Sequence, residues 1–203
     1  MGPLRARLVA MDSLLCPPMF ISVAYIAEGE DDGSVEAAAS RLLADRDSLD
    51  AVAFSSDGID LLEMPDAYRA MKALKPARLK SMVVTEGRDR AALDDLMGAG
   101  YADMAMIRIR GRISEEQGAT LEFLEDYGYW YGVTAEMVPG TTDEPAMREM
   151  ANASRGCKKF LIRAVDPVRN GMAGVKPYEE KEVRSLVRSV GGLVRNPTFL
   201  GFI

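Results

Sequence analysis

Six short apolar or β-branched runs alternate with amphipathic segments along this chain, and no other feature narrows the fold as much. The runs are Met19–Ala27, Asp50–Ser55, Leu79–Thr85, Tyr101–Ile109, Tyr131–Val138 and Lys158–Val165. Their centres are almost continuously apolar, as expected of parallel strands covered by helices. The repeat is about thirty residues, enough for one strand, a crossover helix and two short loops. Helix signals fill the intervals. Ser34 stands as a cap before Val35, Ala38, Leu42 and Leu43; Asp89 precedes Leu93, Leu96 and Met97; Ser114 with Gln117 forms a capping box. Pro65 falls in the first turn of a helix through Tyr68, Met71 and Leu74, Thr142 is placed to cap a helix through Met147 and Met150, and Pro177 opens a last helix that Gly191 and Gly192 stop. Six such units build either an open doubly wound sheet or an incomplete barrel. In both, functional groups belong at the carboxyl ends of the strands.

The chain of 203 residues is 48% hydrophobic, which suits one domain over residues 1–203 with a sizeable core. A net charge of −6 argues against a broad basic face for nucleic acid or anionic lipid, although a few local arginines suffice for a small anionic ligand. The longest apolar run, Met19–Ala27, is too short to cross a bilayer, and Met1–Met11 lacks the apolar stretch of a secretory signal, so a soluble cytoplasmic protein is expected. There is no histidine, which removes the usual zinc ligand and the usual proton carrier near neutral pH. Only Cys16 and Cys157 are present, far apart, so one chain cannot build a disulfide framework or a cysteine metal site.

A series of short segments then carries a resemblance. In order they are Met11-Asp-Ser-Leu-Leu-Cys-Pro-Pro with the Ile21–Ala27 strand, Leu49-Asp-Ala-Val-Ala-Phe-Ser, Thr85-Glu-Gly, Asp103-Met-Ala-Met-Ile-Arg-Ile-Arg, Met137-Val-Pro-Gly-Thr-Thr-Asp-Glu, and the Lys158–Pro167 strand. Together they resemble the radical S-adenosylmethionine (radical SAM) activating enzymes of anaerobic ribonucleotide reductase and pyruvate formate-lyase. The resemblance implies a six-unit partial (β/α)6 TIM-like barrel, open on one side for a large substrate, in the cytoplasm of an anaerobe. It also implies a C-x-x-x-C-x-x-C motif after the first strand, holding a 4Fe–4S cluster through thiolates. Glu30, Ser34 and Ala37 stand where those cysteines belong. The Gly-Gly-Glu-Pro stretch that contacts the cofactor's amino group reads Ser56-Asp-Gly-Ile, which leaves Asp57 to receive an ammonium. The resemblance therefore implies the scaffold without the cluster and with weakened S-adenosylmethionine binding. No cofactor is expected.

Alternation along the fourth run sets Met104, Met106, Arg108 and Arg110 on one face and Ala105, Ile107 and Ile109 on the other. The apolar face suits the helix layer, so Arg108 and Arg110 aim into the barrel at its carboxyl end. The same phase brings Thr134 and Glu136 inward from the fifth run and Arg163 from the sixth. Two readings follow. Guanidinium forks of Arg108, Arg110 and Arg163 grip a carboxylate or phosphate while Glu136 and Asp57 orient them or an amine of the ligand, or the same residues close on one another as an internal salt-bridge network. Elsewhere the bland readings prevail: Glu28–Asp32 as a solvated loop, Tyr127-Gly-Tyr-Trp-Tyr as helix-to-sheet packing, the methionines as core filling, both cysteines as small buried residues, and Asp166–Val175 as a lid or interaction loop. The function expected is a non-redox accessory or regulatory pseudoenzyme with a protein partner or a small anionic ligand. The alternative is an enzyme of another class acting on a phosphorylated or carboxylated metabolite.

Overall fold

The computed structural model describes residues 4–9, 21–28, 44, 51–56, 60–77, 80–195 and 197–203. The strands are β1 (Leu4–Val9), β2 (Ile21–Glu28), β3 (Ala51–Ser56), β4 (Lys80–Thr85), β5 (Met104–Arg110), β6 (Trp130–Met137), β7 (Lys159–Ala164) and β8 (Thr198–Phe202). The described helices are α1 (Pro65–Leu74), α2 (Arg90–Gly98), α3 (Glu115–Asp126), α4 (Glu144–Ala153) and α5 (Glu180–Ser189). The strands follow one another in the order β1 to β8, and six parallel strands alternating with helices make this a partial (β/α)6 TIM-like fold. All six expected runs are strands. The expectation of six was short by two, since β1 and β8 flank them.

The chain divides into two compact units, Met1–Thr85 with Ala91–Ala105, and Glu86–Arg90 with Met106–Ile203. In the first, β1 pairs antiparallel with β2 from Leu4↔Glu28 to Val9↔Val23, β2 pairs parallel with β3 from Ile21↔Ala51, and β3 with β4 from Ala51↔Lys80. Its core joins Val52, Phe54, Leu61, Met71, Met82 and Val83 with Leu93, Leu96 and Met97, the i, i+3, i+4 stripe of α2. Pro65 occupies the first turn of α1, where its missing N–H costs no helix bond. The return from α2 to β5 is locked at Ser81, whose N–H donates to the Asp103 carboxylate (2.9 Å) and whose hydroxyl donates to the Tyr101 carbonyl (2.6 Å).

In the second unit β6 pairs parallel with β7 from Gly132↔Lys159 to Met137↔Ala164, and β7 pairs parallel with β8. The β7–β8 register shifts between Ile162 and Arg163, where the β8 partners pass from Phe199 to Gly201, and Gly201 adopts φ +116°. Both sides of the expected capping box are present at Ser114 and Gln117. Two expected helix starts move. The cap of α4 is Asp143, whose carboxylate accepts from the Ala146 N–H at 2.9 Å, because the Thr142 hydroxyl is engaged elsewhere. The last helix begins at Glu180 rather than Pro177, with Glu179 and Glu182 forming its capping box. Met147 and Met150 are buried, as are Met104 and Met106, and Cys157 is a buried small residue. The Tyr127 and Tyr129 rings stack on one another at the foot of β6, and both meet Phe123 at a tilt. Cys16 and the helix expected after Ser34 lie outside the described residues.

Candidate functional site

Register turns three separate strands into one site. Gly132 of β6 has no side chain, and a Cβ built there would meet Met106 Cε at 2.8 Å, Met106 Sδ at 3.0 Å and Lys159 Cβ at 3.3 Å. Met106, Gly132 and Lys159 therefore share one face of β5, β6 and β7. Alternation carries that face forward two residues to Arg108, Thr134 and Leu161, and two more to Arg110, Glu136 and Arg163. The parallel register pairs Glu136 with Arg163 directly, and the Gly111 N–H donates to the Glu136 carbonyl at 2.9 Å, which sets Arg110 level with Glu136 on the other side. The sheet thus ends in a row Arg110, Glu136, Arg163, positive, negative, positive, with strand axes about 4.8 Å apart. The opposite face holds Ile107 against Thr120 of α3, since a Cβ at Gly87 would lie 3.1 Å from Ile107 and 3.4 Å from Thr120.

The members of the row do not close on one another. Among the described residues, Arg108, Glu136 and Arg163 are half-buried and make no ion pair or side-chain hydrogen bond, and the Arg110 guanidinium reaches only the Asn170 side-chain oxygen, at 3.4 Å. Thr134 is 6% exposed, one pleat below Glu136, and its hydroxyl has no hydrogen-bond partner among the described residues. Three of the expected residues therefore stand in line, with Arg108 one step deeper beside Thr134. Asp57 lies outside the described residues, as do Glu30, Ser34 and Ala37.

The turns that hold this end of the sheet were not legible as such. The Thr142 hydroxyl accepts from the Val138 N–H (2.9 Å) and donates to the Gly111 carbonyl (2.9 Å), tying the ends of β5 and β6 together. Tyr178 places its hydroxyl 2.9 Å from the Val138 carbonyl and 2.7 Å from the Thr142 carbonyl, so the strap before α5 is clipped to the same turn. Beside it, Arg112 pairs with Asp143 at 3.1 Å. The Ala146 N–H, with Arg112 as a further contributor, holds the Asp143 carboxyl below the usual range. The expected lid loop is pinned as well. Its Asp166 carboxylate accepts from the Val168 N–H (2.9 Å), and Asn170 donates to the Asp166 and Ile203 carbonyls (2.9 and 3.1 Å). In the other unit, Thr85 at the end of β4 is fully buried and donates to the Asp60 carboxylate, at 2.6 and 2.8 Å from its two oxygens. Asp60 also accepts from the Leu62 N–H (3.3 Å), so an acid-hydroxyl pair marks the β4 terminus.

No family model matches the chain, and no curated protein matches it. Solved structures do. The structure of SuiB from Streptococcus suis bound to S-adenosylmethionine matches with a TM-score of 0.62 at 13% identity, over 98% of this chain and 50% of SuiB. SuiB bound to its precursor peptide SuiA matches with a TM-score of 0.62 at 12% identity, over 85% of this chain and 43% of SuiB. The chain spans half or less of the length of the protein it matches. The likeness shows a radical-SAM-like fold.

Proposed function

We propose that this chain is a radical-SAM-like pseudoenzyme, related to the activating enzymes of glycyl-radical enzymes, that binds a small anionic ligand without cluster-dependent redox chemistry. One observation carries the reading: Arg110 and Arg163 flank Glu136 on one face at the carboxyl ends of three adjacent strands, and no ion pair among the described residues neutralises either arginine. Arg163 is half-buried and Arg110 exposed, and a guanidinium without a carboxylate partner favours an anion that supplies one. The donor set supports the non-redox half of the reading. Three thiolates are needed to hold a 4Fe–4S cluster, and the chain has two cysteines. Of these, Cys157 precedes β7 at its amino end, is 2% exposed, and has its thiol pushed up to about 12 by burial, the reverse of what an iron ligand requires. The residues present do not fit the cluster.

The test is iron and sulfide content with a visible spectrum after anaerobic reconstitution, beside calorimetric titration of S-adenosylmethionine and thermal shifts with carboxylates and phosphate. The expected result is no iron, and a stabilisation by anions that Arg110→Ala abolishes. Stoichiometric iron and sulfide with thiolate-to-iron absorption would overturn the reading.

A further inference from the structure

The order of charges in the row says more than their sum. Two arginines alone would take any dianion, phosphate included. Glu136 stands between them, paired in register with Arg163 and level with Arg110, so a phosphate seated across the row would bring its own negative oxygens onto a carboxylate. A simple diacid spanning the two arginines leaves Glu136 half-buried and unpaired, a cost that persists for as long as the ligand is bound. The complementary ligand is negative, positive, negative: two carboxylates with an ammonium held between the guanidinium groups. Beneath the row Thr134, 6% exposed and without a hydrogen-bond partner among the described residues, offers a hydroxyl on the same face. That hydroxyl is not sealed in the core, where only the Tyr131 hydroxyl is buried without a partner among the described residues, and it is open to a polar atom of a ligand on this face.

We infer that the carboxyl ends of β5, β6 and β7 bind an aminodicarboxylate, with Arg110 and Arg163 each taking one carboxylate, Glu136 taking the ammonium, and Thr134 hydrogen-bonding the ligand from below. This rests on the anion-binding reading above and narrows it. Glu136 sets the specificity, because it is the one group of the row that rewards the ammonium and penalises its absence.

The experiment is calorimetric titration of the full chain with L-glutamate, L-aspartate, glutarate, succinate and inorganic phosphate. The amino diacids should bind at least about 10-fold more tightly than their deaminated counterparts, since a site built to bond a group rejects the analogue lacking it. Glu136→Gln should bring that ratio to about 1 by weakening the amino diacids alone, whereas Thr134→Val and Arg163→Ala should weaken them roughly several-fold to tenfold in a chain whose circular dichroism is unchanged. Equal binding of diacid, phosphate and amino diacid, insensitive to Glu136→Gln, would overturn the inference and leave the anion-binding reading standing. Absence of binding by every anion in a folded chain would overturn both. Iron loading together with selective glutamate or aspartate binding would sink the non-redox reading and keep this one.

Discussion

The two faces of β5 to β7 share every backbone atom and have almost nothing else in common. On the face toward the helices, Ile107, Ile109, Val133, Ala135, Phe160 and Ile162 are all fully buried. On the other, residues one position along the same strands change from Met106 and Gly132 at the floor, through Arg108 and Thr134, to Arg110, Glu136 and Arg163 at the rim. The period of two lets one strand serve stability and chemistry at once, because a substitution on one side leaves the other side chains where they were. The helix-facing side must exclude water and tolerates only apolar groups. The other becomes more polar toward the carboxyl end, where covering ceases.

This division of labour can be attacked from either side. The largest effect is expected at the helix face: Phe160→Ala should cost about 3–5 kcal/mol in urea denaturation, through lost transfer energy and the cavity left behind. A value near zero would mean the face is not the core. Alkali comes next. Burial pushes the Cys157 thiol up from 9.0 to about 12, and burial, with the Glu125 carboxylate second, raises Tyr131, whose buried hydroxyl has no partner among the described residues. Each group keeps its proton in the fold at pH values where the unfolded chain has lost it. Stability is therefore complete below the ordinary thiol value of 9.0 and falls as pH rises toward 12. Denaturation at stepped pH should show that fall, and Cys157→Ala should remove part of the slope. Third, Gly132→Ala forces a methyl against Met106 and should cost roughly 1–3 kcal/mol; Met106→Ala in the same chain should recover part of it in a double-mutant cycle. Additive effects would separate the two residues that define the floor. Smallest of all, Arg163→Ala should change stability by less than about 0.5 kcal/mol, since no ion pair is lost among the described residues, while it weakens anion binding roughly several-fold to tenfold. A large destabilisation would return Arg163 to the framework.

How much of this was readable beforehand follows from the same physics. Strands covered on both faces are near-continuous apolar runs, so β2 to β7 stood out. The β1 segment alternates instead, Leu4, Ala6 and Leu8 with Arg5 and Arg7, a period-two signal that lies ahead of the first strand-and-helix repeat and so falls outside its pattern. The β8 strand is five residues long, contains Gly201 at a register shift and follows a glycine pair, so it offers neither length nor regular pattern. For the site, alternation gave the face of Arg108 and Arg110 but not the level of Glu136 or Arg163. Register is a property of paired strands, fixed here by a glycine whose missing side chain a methionine fills. The cap of α4 is not legible from residue type, because Thr141, Thr142 and Asp143 are all capping residues, and only the carbonyl of Gly111, which takes the Thr142 hydroxyl, decides between them.

The Thr142 clip has a practical corollary for anyone adding sequence to this scaffold. Gly128 and Gly140 both take positive φ with nothing within 4 Å of a built Cβ, so by local crowding alone they look equally open to insertion. They are not equivalent. Tyr127 beside Gly128 is 70% exposed, and a graft there displaces little beyond a stacked ring. The turn around Gly140 holds the carbonyls and N–H groups on which Thr142, Tyr178 and two strand ends depend. Tags, reporters and permuted termini belong at the α3–β6 junction, and the β6–α4 turn is best left intact.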